Sequence, residues 1–378
     1  YSDHMNSPVY YHLGKFPPND LNWKELIPLI GKANAGLARY DGLLSAIPNA
    51  SVLLSPLTTQ EAVLSSKIEG THVTMGEVLQ LEAGGEPADV TQPMRDDAEE
   101  IINYRFALRA CVDELKDRPL SQQLLRQAHY LLMQGVRGRN KTPGNYRTDQ
   151  NWIGRRDCRI EEASFVPISP EHLSAGMDAW ETYMKSDSEL DPLVQLAVVH
   201  VEFEALHPFK DGNGRLGRML IPLFLYWKGV LSSPDFYMSG YLEAHRDSYQ
   251  ERLRAVSRDG NWTDWCAFFL EGIIEQSAEN EQKARAILDL YEQVKQQVID
   301  LTHSQPAIRA VDFLFQRPIF RAPDFTEGSE IPRPTAARIL TMLRDEQLLH
   351  TLREGKGRRP GIYAFRQLLN VAEGRPVL

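Results

Sequence analysis

The sequence predicts a mainly α-helical protein, on two observations. Apolar residues recur at three- and four-residue spacing along most of the 378 residues, and runs that alternate apolar with polar are few. Composition, 42% hydrophobic and 25% charged, suits a globular chain with room for about two or three domains. The formal charge of -9 argues against a surface given over wholly to nucleic acid, so any basic patch has to be local. Cys111, Cys158 and Cys266 form no C-x-x-C pair, which points away from disulfides and zinc fingers and toward a reducing, cytoplasmic setting. No apolar run approaches the roughly 18 residues of a membrane helix. The densest, Met219–Trp227, is interrupted by Pro222. Tyr1 to Met5 has no basic segment ahead of an apolar stretch, so no signal peptide is expected, and the residues before Met5 read as an expression remnant.

An N-terminal helical region, 1–94, holds helices at Trp23–Leu44 and at about 59–69, the second bracketed by a capping box, Thr58-x-x-Glu61, and by Gly70 at its end. Glu82–Pro93, rich in Gly and Pro, reads as a loop. The region 95–280 holds helices near Asp96–Leu115, Ser121–Val136, Pro170–Lys185, Pro192–Leu206, Arg215–Gly229 and Glu243–Ser257. Within it Asn151–Pro167 breaks the pattern, its β-branched and aromatic residues around a charged middle predicting a hairpin. After Trp262–Trp265, the residues Ala284, Ile287, Tyr291, Val294, Val298 and Leu301 form a narrow apolar seam. That seam makes 281–304 a helical connector packed on its own domain.

The remainder, 305–378, reads as a separate small domain. Pro334–Leu349 is an amphipathic helix, and His350–Phe365 predicts two short strands around a basic turn. With Ala307–Phe315 in front, this segment resembles a winged helix. From Ile331 to Arg366 eight Arg or Lys stand against three Asp or Glu, a local +5 that suits DNA phosphates, although many such domains contact proteins instead.

The strongest chemical signal is His207-Pro-Phe-Lys-Asp-Gly-Asn-Gly-Arg-Leu-Gly-Arg218. It contains G-x-G-x-x-G, but a dinucleotide fold needs a strand directly before that pattern within a βαβ unit. Here Val194, Leu196, Ala197, Val201 and Leu206 lead in at helical spacing. Zinc fits no better, since His207, Asp211 and the upstream His200 lack a zinc-type cluster. A lone Asp211 beside phosphate oxygens matches the way Mg²⁺ is held. Gly212, Asn213 and Gly214 let backbone N–H groups approach an anion, and the helix that follows adds its positive end. Arg215 and Arg218 share one helical face and can grip phosphate oxygens in forked geometry. His207, just ahead, is the residue type best suited to take a proton from a hydroxyl near neutral pH.

This stretch resembles the signature of the Fic family, HPF-x-(D/E)-GNGR-x-x-R, with every fixed position matched. The resemblance implies a Fic-type helical core that transfers AMP from ATP to a Ser, Thr or Tyr hydroxyl of a target protein, by in-line displacement of pyrophosphate. It implies His207 as general base, Asp211 as the holder of Mg²⁺, and Phe209 as a buried anchor. Gly212, Asn213, Gly214, Arg215, Leu216, Gly217 and Arg218 would bind ATP, the two arginines on its outer phosphates. The hairpin near Trp152 to Val166 resembles the family's flap, which adds a strand of the target to its edge, with Ile153 and Gly154 over nucleotide and target. Arg246-Asp-Ser-Tyr249 resembles a stretch where a tyrosine lines the adenosine pocket. The second tyrosine of that pattern is Gln250 here, and a tyrosine packed on its own domain is the alternative.

Ser65-Ser-Lys-Ile-Glu69-Gly70 resembles the family's inhibitory motif, (S/T)-x-x-x-E-(G/N), in the class that carries it ahead of the core. Glu69 would pair with Arg218 and leave ATP in an unproductive pose. Two other functions remain open at this point: removal of AMP from a modified target, with Glu69 positioning water, and a winged-helix transcription regulator with a nucleotide-sensing core. A homodimer is compatible with the sequence, and no membrane partner is expected.

Overall fold

The computed structural model describes residues 7–303 and 305–377, so the reading of Tyr1 to Met5 lies outside the described residues. In chain order the elements are β1 (Val9–Tyr10), α1 (Trp23–Ala46), α2 (Ala50–Leu53), α3 (Ser55–Ile68), α4 (Met75–Glu82), α5 (Gln92–Glu114), α6 (Gln122–Leu132), β2 (Phe165–Val166), α7 (Pro170–Lys185), α8 (Pro192–Leu206) and α9 (Asn213–Trp227). There follow α10 (Ser239–Ala244), α11 (Arg246–Asp259), α12 (Trp262–Thr302), α13 (Ala307–Gln316), β3 (Ile319–Arg321), α14 (Ala322–Gly328), α15 (Arg333–Asp345), β4 (His350–Arg353), β5 (Ile362–Ala364) and α16 (Arg366–Glu373). The protein is mainly helical, as predicted. Its residues form two compact units, Tyr1–Arg39 with Asn103–Ala278, and Tyr40–Ile102 with Glu279–Leu378. The sequence reading cuts the chain linearly at 94, 280 and 304, whereas each compact unit combines two separated segments.

The first unit is built round α8. Apolar on every side, this helix is buried along almost its whole length. Asp191 caps it by accepting from the Leu193 and Val194 N–H groups, 2.9 and 3.0 Å, with Pro192 in the first turn. Trp180 of α7 and Trp265 of α12 each donate an indole N–H to an α8 carbonyl, Val199 at 2.9 Å and Ala197 at 2.7 Å. On the α9 side the approach is closer still: a Cβ at Gly217 would lie 2.2 Å from Glu204 Oε1. A side chain at Gly217 would therefore displace the Glu204 carboxylate and press on the Phe203 ring, 3.3 Å away.

Three expectations need correction in this unit. The hairpin at Asn151–Pro167 is reduced to one antiparallel bridge, Ile153 to Phe165, and the middle carries a 3₁₀ turn at Ile160–Glu162. Its charged residues Arg155, Arg156 and Asp157 are exposed and contribute nothing to a ladder. The other edge of β2 pairs in parallel with β1, Val9 opposite Phe165 and Tyr10 opposite Val166. Helix α9 begins two residues before Arg215, because Gly212 makes the turn with φ 85°. The expected helix Glu243–Ser257 is two helices, α10 and α11, broken where His245 leaves helical geometry at ψ 35°.

In the second unit α3 starts at Ser55 with Pro56 in its first turn. Thr58 and Glu61 therefore lie inside the helix and form no capping box; that device occurs instead at Thr74 and Glu77 ahead of α4, with both bonds at 3.2 Å. The other end of α3 is as expected. Gly70 has φ 106°, its N–H donates to Lys67 at 3.0 Å, and the Thr71 N–H donates to Ser66 at 3.2 Å, a Schellman closure.

The C-terminal part of this unit carries an antiparallel sheet in the order β3-β5-β4 over a cluster of Phe313, Phe320 and Phe325. Strands β4 and β5 match the two expected, joined by a turn in which Lys356 and Arg359 exchange backbone bonds of 2.9 and 3.0 Å. Strand β3 was not anticipated. Helix α15 stops short of Leu349, since Gln347 takes φ 59° and Leu348 and Leu349 turn inward separately. Ala284, Ile287, Val294 and Val298 of the seam are buried, and Tyr291, half-buried, donates to Asp312 of α13 at 2.6 Å. All three cysteines are free thiols, and no helix among the described residues is long and apolar enough to cross a membrane.

Candidate active site

Helix α8 ends because His207 adopts a left-handed conformation, φ 48° and ψ 59°. A residue with a Cβ holds that conformation only where its surroundings impose it. The Arg147 guanidinium supplies the restraint: Nε donates to the His207 carbonyl at 2.8 Å, and Nη2 to those of Leu206 at 3.0 Å and Ile168 at 2.5 Å. Burial lowers the Arg147 pKa to about 10, which leaves it cationic at neutral pH. Asn151 Nδ2 adds bonds of 3.2 Å to the carbonyls of His207 and Phe209. The imidazole is oriented as well, with Nδ1 3.2 Å from the Glu204 carbonyl. A carbonyl only accepts, so Nδ1 carries a proton and, in the neutral ring, Nε2 holds the lone pair.

The loop after His207 is anchored by Phe209, which is fully buried between His129 and Tyr146. His129 Nε2 donates to the Asp211 carbonyl at 2.8 Å, while Nδ1 accepts the Gly144 N–H at 2.9 Å. This pattern requires the neutral ring, and burial pushes the His129 pKa down to about 4. Asn213 closes the loop by accepting from the Phe209 N–H at 2.9 Å and donating to the Phe209 carbonyl at 2.8 Å.

Beyond that closure the chain turns into α9. Gly212 carries the turn and brings no side chain to cap the helix, and among the described residues the N–H groups of Asn213 and Gly214 have no hydrogen-bond partner. The positive end of α9 is thus open to an anion. Asp211 is half exposed, at 51% for its side chain. Its Oδ1 accepts the Gly212 N–H at 2.8 Å and its Oδ2 lies 3.9 Å from Arg215 Nη2. Arg215 and Arg218 follow on the first two turns, both buried.

An imidazole, a carboxylate, an open helix start and two arginines therefore lie within twelve consecutive residues, and this stretch falls inside a known pattern. Residues 119–225 match the model of the Fic/DOC family, and residues 27–113 match that of the family's N-terminal region. The chain belongs to the Fic/DOC family. A probable protein adenylyltransferase of Aquifex aeolicus is 26% identical over 207 residues, 54% of this chain and 59% of that protein. The protein adenylyltransferase fic-1 of Caenorhabditis elegans is 33% identical over 88 residues, 23% of this chain and 16% of that protein. The chain thus spans less than two thirds of both relatives. A solved Fic family protein from Desulfovibrio desulfuricans shares the fold, with a TM-score of 0.59 at 20% identity, covering 92% of this chain and 98% of that one.

Not every expected residue joins the Fic loop. Leu216 and Gly217 are buried packing positions of α9. Tyr249 is a correction: it is 1% exposed, and its hydroxyl donates to His200 Nε2 at 2.7 Å in the core. His200 Nδ1 in turn donates to the Gly217 carbonyl at 2.8 Å, so His200 is neutral, its pKa pushed to about 3 by burial. Tyr249 therefore supports α9 from behind. Ile153 is 38% exposed, and both its backbone groups pair with the 164–165 strand. The flanking backbone of Trp152 and Gly154 makes no hydrogen bond among the described residues, which leaves one flap edge open. Ser65 is buried and Glu69 exposed in the second unit, at the end of α3. His129, Arg147, Asn151 and His200 were not anticipated. His200 carried a signal, a polar residue within an apolar helix, whereas His129 sits in an amphipathic helix and Arg147 and Asn151 in irregular segments, with none.

Proposed function

We propose that this Fic chain is a protein adenylyltransferase, moving AMP from ATP onto a Ser, Thr or Tyr hydroxyl of a target protein. The observation that supports this reading is the bond from His207 Nδ1 to the Glu204 carbonyl, which places the ring proton on Nδ1 and suits Nε2 to the part of base. Nε2 takes the proton of the acceptor hydroxyl, the oxygen attacks the α-phosphorus, and pyrophosphate leaves on the opposite side. The Asn213 and Gly214 amides and the guanidinium groups of Arg215 and Arg218 hold and neutralise the phosphates. Asp211 fits Mg²⁺: it is a half-exposed carboxylate on the phosphate loop, and no cluster of three metal-ligating side chains surrounds it among the described residues. That suits an ion held by one carboxylate and substrate oxygens. When bound, the ion would neutralise charge between the α- and β-phosphates.

Glu69 is proposed as a brake that withdraws Arg218 from the outer phosphate, with Ser65 one turn before it on α3. The resemblance of Ser65 to Gly70 supports this, as does an acidic residue at a helix C-terminus, where the dipole disfavours it. A flap edge open at Trp152 and Gly154 supports docking of the target as an added strand. The segment α13 to α16 is proposed as a winged helix that contacts duplex DNA. Its support is a set of exposed cations, Arg333 and Arg338 on α15 with Lys356, Arg358 and Arg359 in the following turn, none of them ion-paired among the described residues.

The test is transfer of label from α-labelled ATP to lysate proteins by wild type, Glu69→Gly, and Glu69→Gly with His207→Ala. The expected order is weak, strong and absent labelling. Equal labelling by the first two removes the brake, and labelling that persists without His207 removes the assigned base. Absence of labelling with all three overturns the activity.

A further inference from the structure

The N-terminal segment takes no part in the proposed chemistry, yet it is bonded both to the flap and to the helix that ends at His207. The Val9 N–H donates to the Ser164 carbonyl at 3.3 Å and the Tyr11 N–H to that of Val166 at 3.0 Å. Strand β1 thus covers the edge of β2 that Ile153 leaves. The next side chains turn inward. The Tyr11 hydroxyl donates to Glu202 Oε1, His12 Nε2 lies 2.7 Å from Glu202 Oε2, and His12 Nδ1 lies 2.7 Å from Ser257 Oγ of α11.

Glu202 is fully buried on α8, five residues before His207. Burying a carboxylate is costly and is tolerated only when its oxygens are satisfied, and here two consecutive residues of one segment each satisfy one oxygen. Apolar packing would hold the segment against α8 equally well, but it is not directional. Two charge-assisted bonds fix the register of the segment along the helix.

The bonds close a circuit. From the His207 carbonyl, Asn151 leads to Ile153, Ile153 bridges Phe165, and Phe165 and Val166 pair with Val9 and Tyr10. Tyr11 and His12 then return to Glu202 on the helix that carries His207. Arg147 and Gln150 hold the base of the second arm at the carbonyls of Ile168 and Pro167, and the N-terminal segment is what holds its edge strand, Ser164 to Val166, on the side away from Ile153.

We propose that Tyr11, His12 and Glu202 are positioning residues, holding the second flap arm in fixed relation to His207 so that a docked target strand presents its hydroxyl to Nε2. This rests on the adenylyltransferase reading for its purpose but not for its mechanics. Substitutions that break the circuit loosen the flap and slow transfer, while the ATP site, built from the loop and α9, is unaffected.

The test compares the Glu69→Gly chain with the same chain carrying Tyr11→Phe, Glu202→Gln or Val9→Pro. Val9→Pro deletes one backbone bond and leaves the buried carboxylate alone, so it guards against a variant that simply fails to fold. The first readout needs no target: tryptic cleavage after Arg155 and Arg156, the latter 96% exposed, and amide exchange at Ile153 and Ser164. Loss of a bond to a charged group is expected to raise cleavage about tenfold. The second readout is labelling of lysate protein, with the rate at saturating ATP falling and the KM for ATP unchanged. A lowered Tm with flap cleavage and exchange as in the parent overturns the proposal, and so does a loosened flap with an undiminished labelling rate. If the parent does not label at all while the flap loosens, the adenylyltransferase reading fails and the mechanical tether stands.

Discussion

Phe209 lies flat on His129, ring centroids 3.8 Å apart and planes within 8°. His129 is also bonded to the Asp211 carbonyl, so one side chain fixes both the anchor of the loop and the backbone of its carboxylate. Phe209→Ala opens a cavity there and is expected to cost about 3–5 kcal/mol. Urea unfolding measures it directly. An unchanged midpoint would mean that the loop keeps its shape without the anchor.

Acid sensitivity follows from two buried neutral imidazoles. The folded pKa values of His129, about 4, and His200, about 3, lie below the unfolded histidine value of roughly 6.5, so between those limits the unfolded chain binds more protons. Stability is therefore complete above about pH 6.5 and is lost as pH falls toward 4 for His129 and toward 3 for His200. The loss amounts to roughly 3 kcal/mol for His129 and up to about 5 kcal/mol for His200. His129→Gln, which still has a donor for the Asp211 carbonyl, should flatten the dependence by about 1.4 kcal/mol per pH unit within that window. Urea midpoints between pH 7 and 4.5 check the slope, and an identical slope in the variant would show that His129 is not the titrating group.

Gly212→Ala meets two obstacles at once, a backbone at φ 85° and a Cβ placed 3.0 Å from Met133 Sδ. The expected cost is about 1–2 kcal/mol of stability. ATP binding should weaken more than stability does, because the start of α9 shifts with the turn. Calorimetric titration with ATP reads this, and wild-type affinity would separate the turn from the phosphate site.

Much of the molecule was legible in the sequence because short-range physics decides it. The apolar surround of α8, the glycine stop at Gly70 and the order of His207, Asp211, Gly212 and Arg218 are all set within a few residues. Errors arose where distant partners decide. Thr58 and Glu61 have capping chemistry, but Pro56 starts the helix earlier. Tyr249 has the residue type for a pocket, but His200 holds it inward. The flap has strand-forming residues, yet its partner is Val9–Tyr10, some 150 residues away, which no local pattern discloses.

The proposed contact of the C-terminal segment with DNA has a quantitative signature. Each phosphate neutralised contributes about -0.9 to the slope of log K against log salt, so contacts by all five exposed cations would give a slope near -4.5. Arg344 and Arg353 are left out of that count, since the first donates to the Tyr363 hydroxyl at 3.1 Å and the second to the Pro360 carbonyl at 2.9 and 3.2 Å. Fluorescence anisotropy of a labelled duplex at several salt concentrations gives the slope. Arg358→Glu with Arg359→Glu should then abolish binding at moderate salt, while Arg344→Gln should leave the slope unchanged and weaken the fold instead. Both charge reversals lie in the turn between β4 and β5, remote in sequence from His207, so ATP-dependent labelling serves as the control for an intact core. Duplex binding that survives the double reversal, or a slope near zero, would leave the cations to an acidic protein partner.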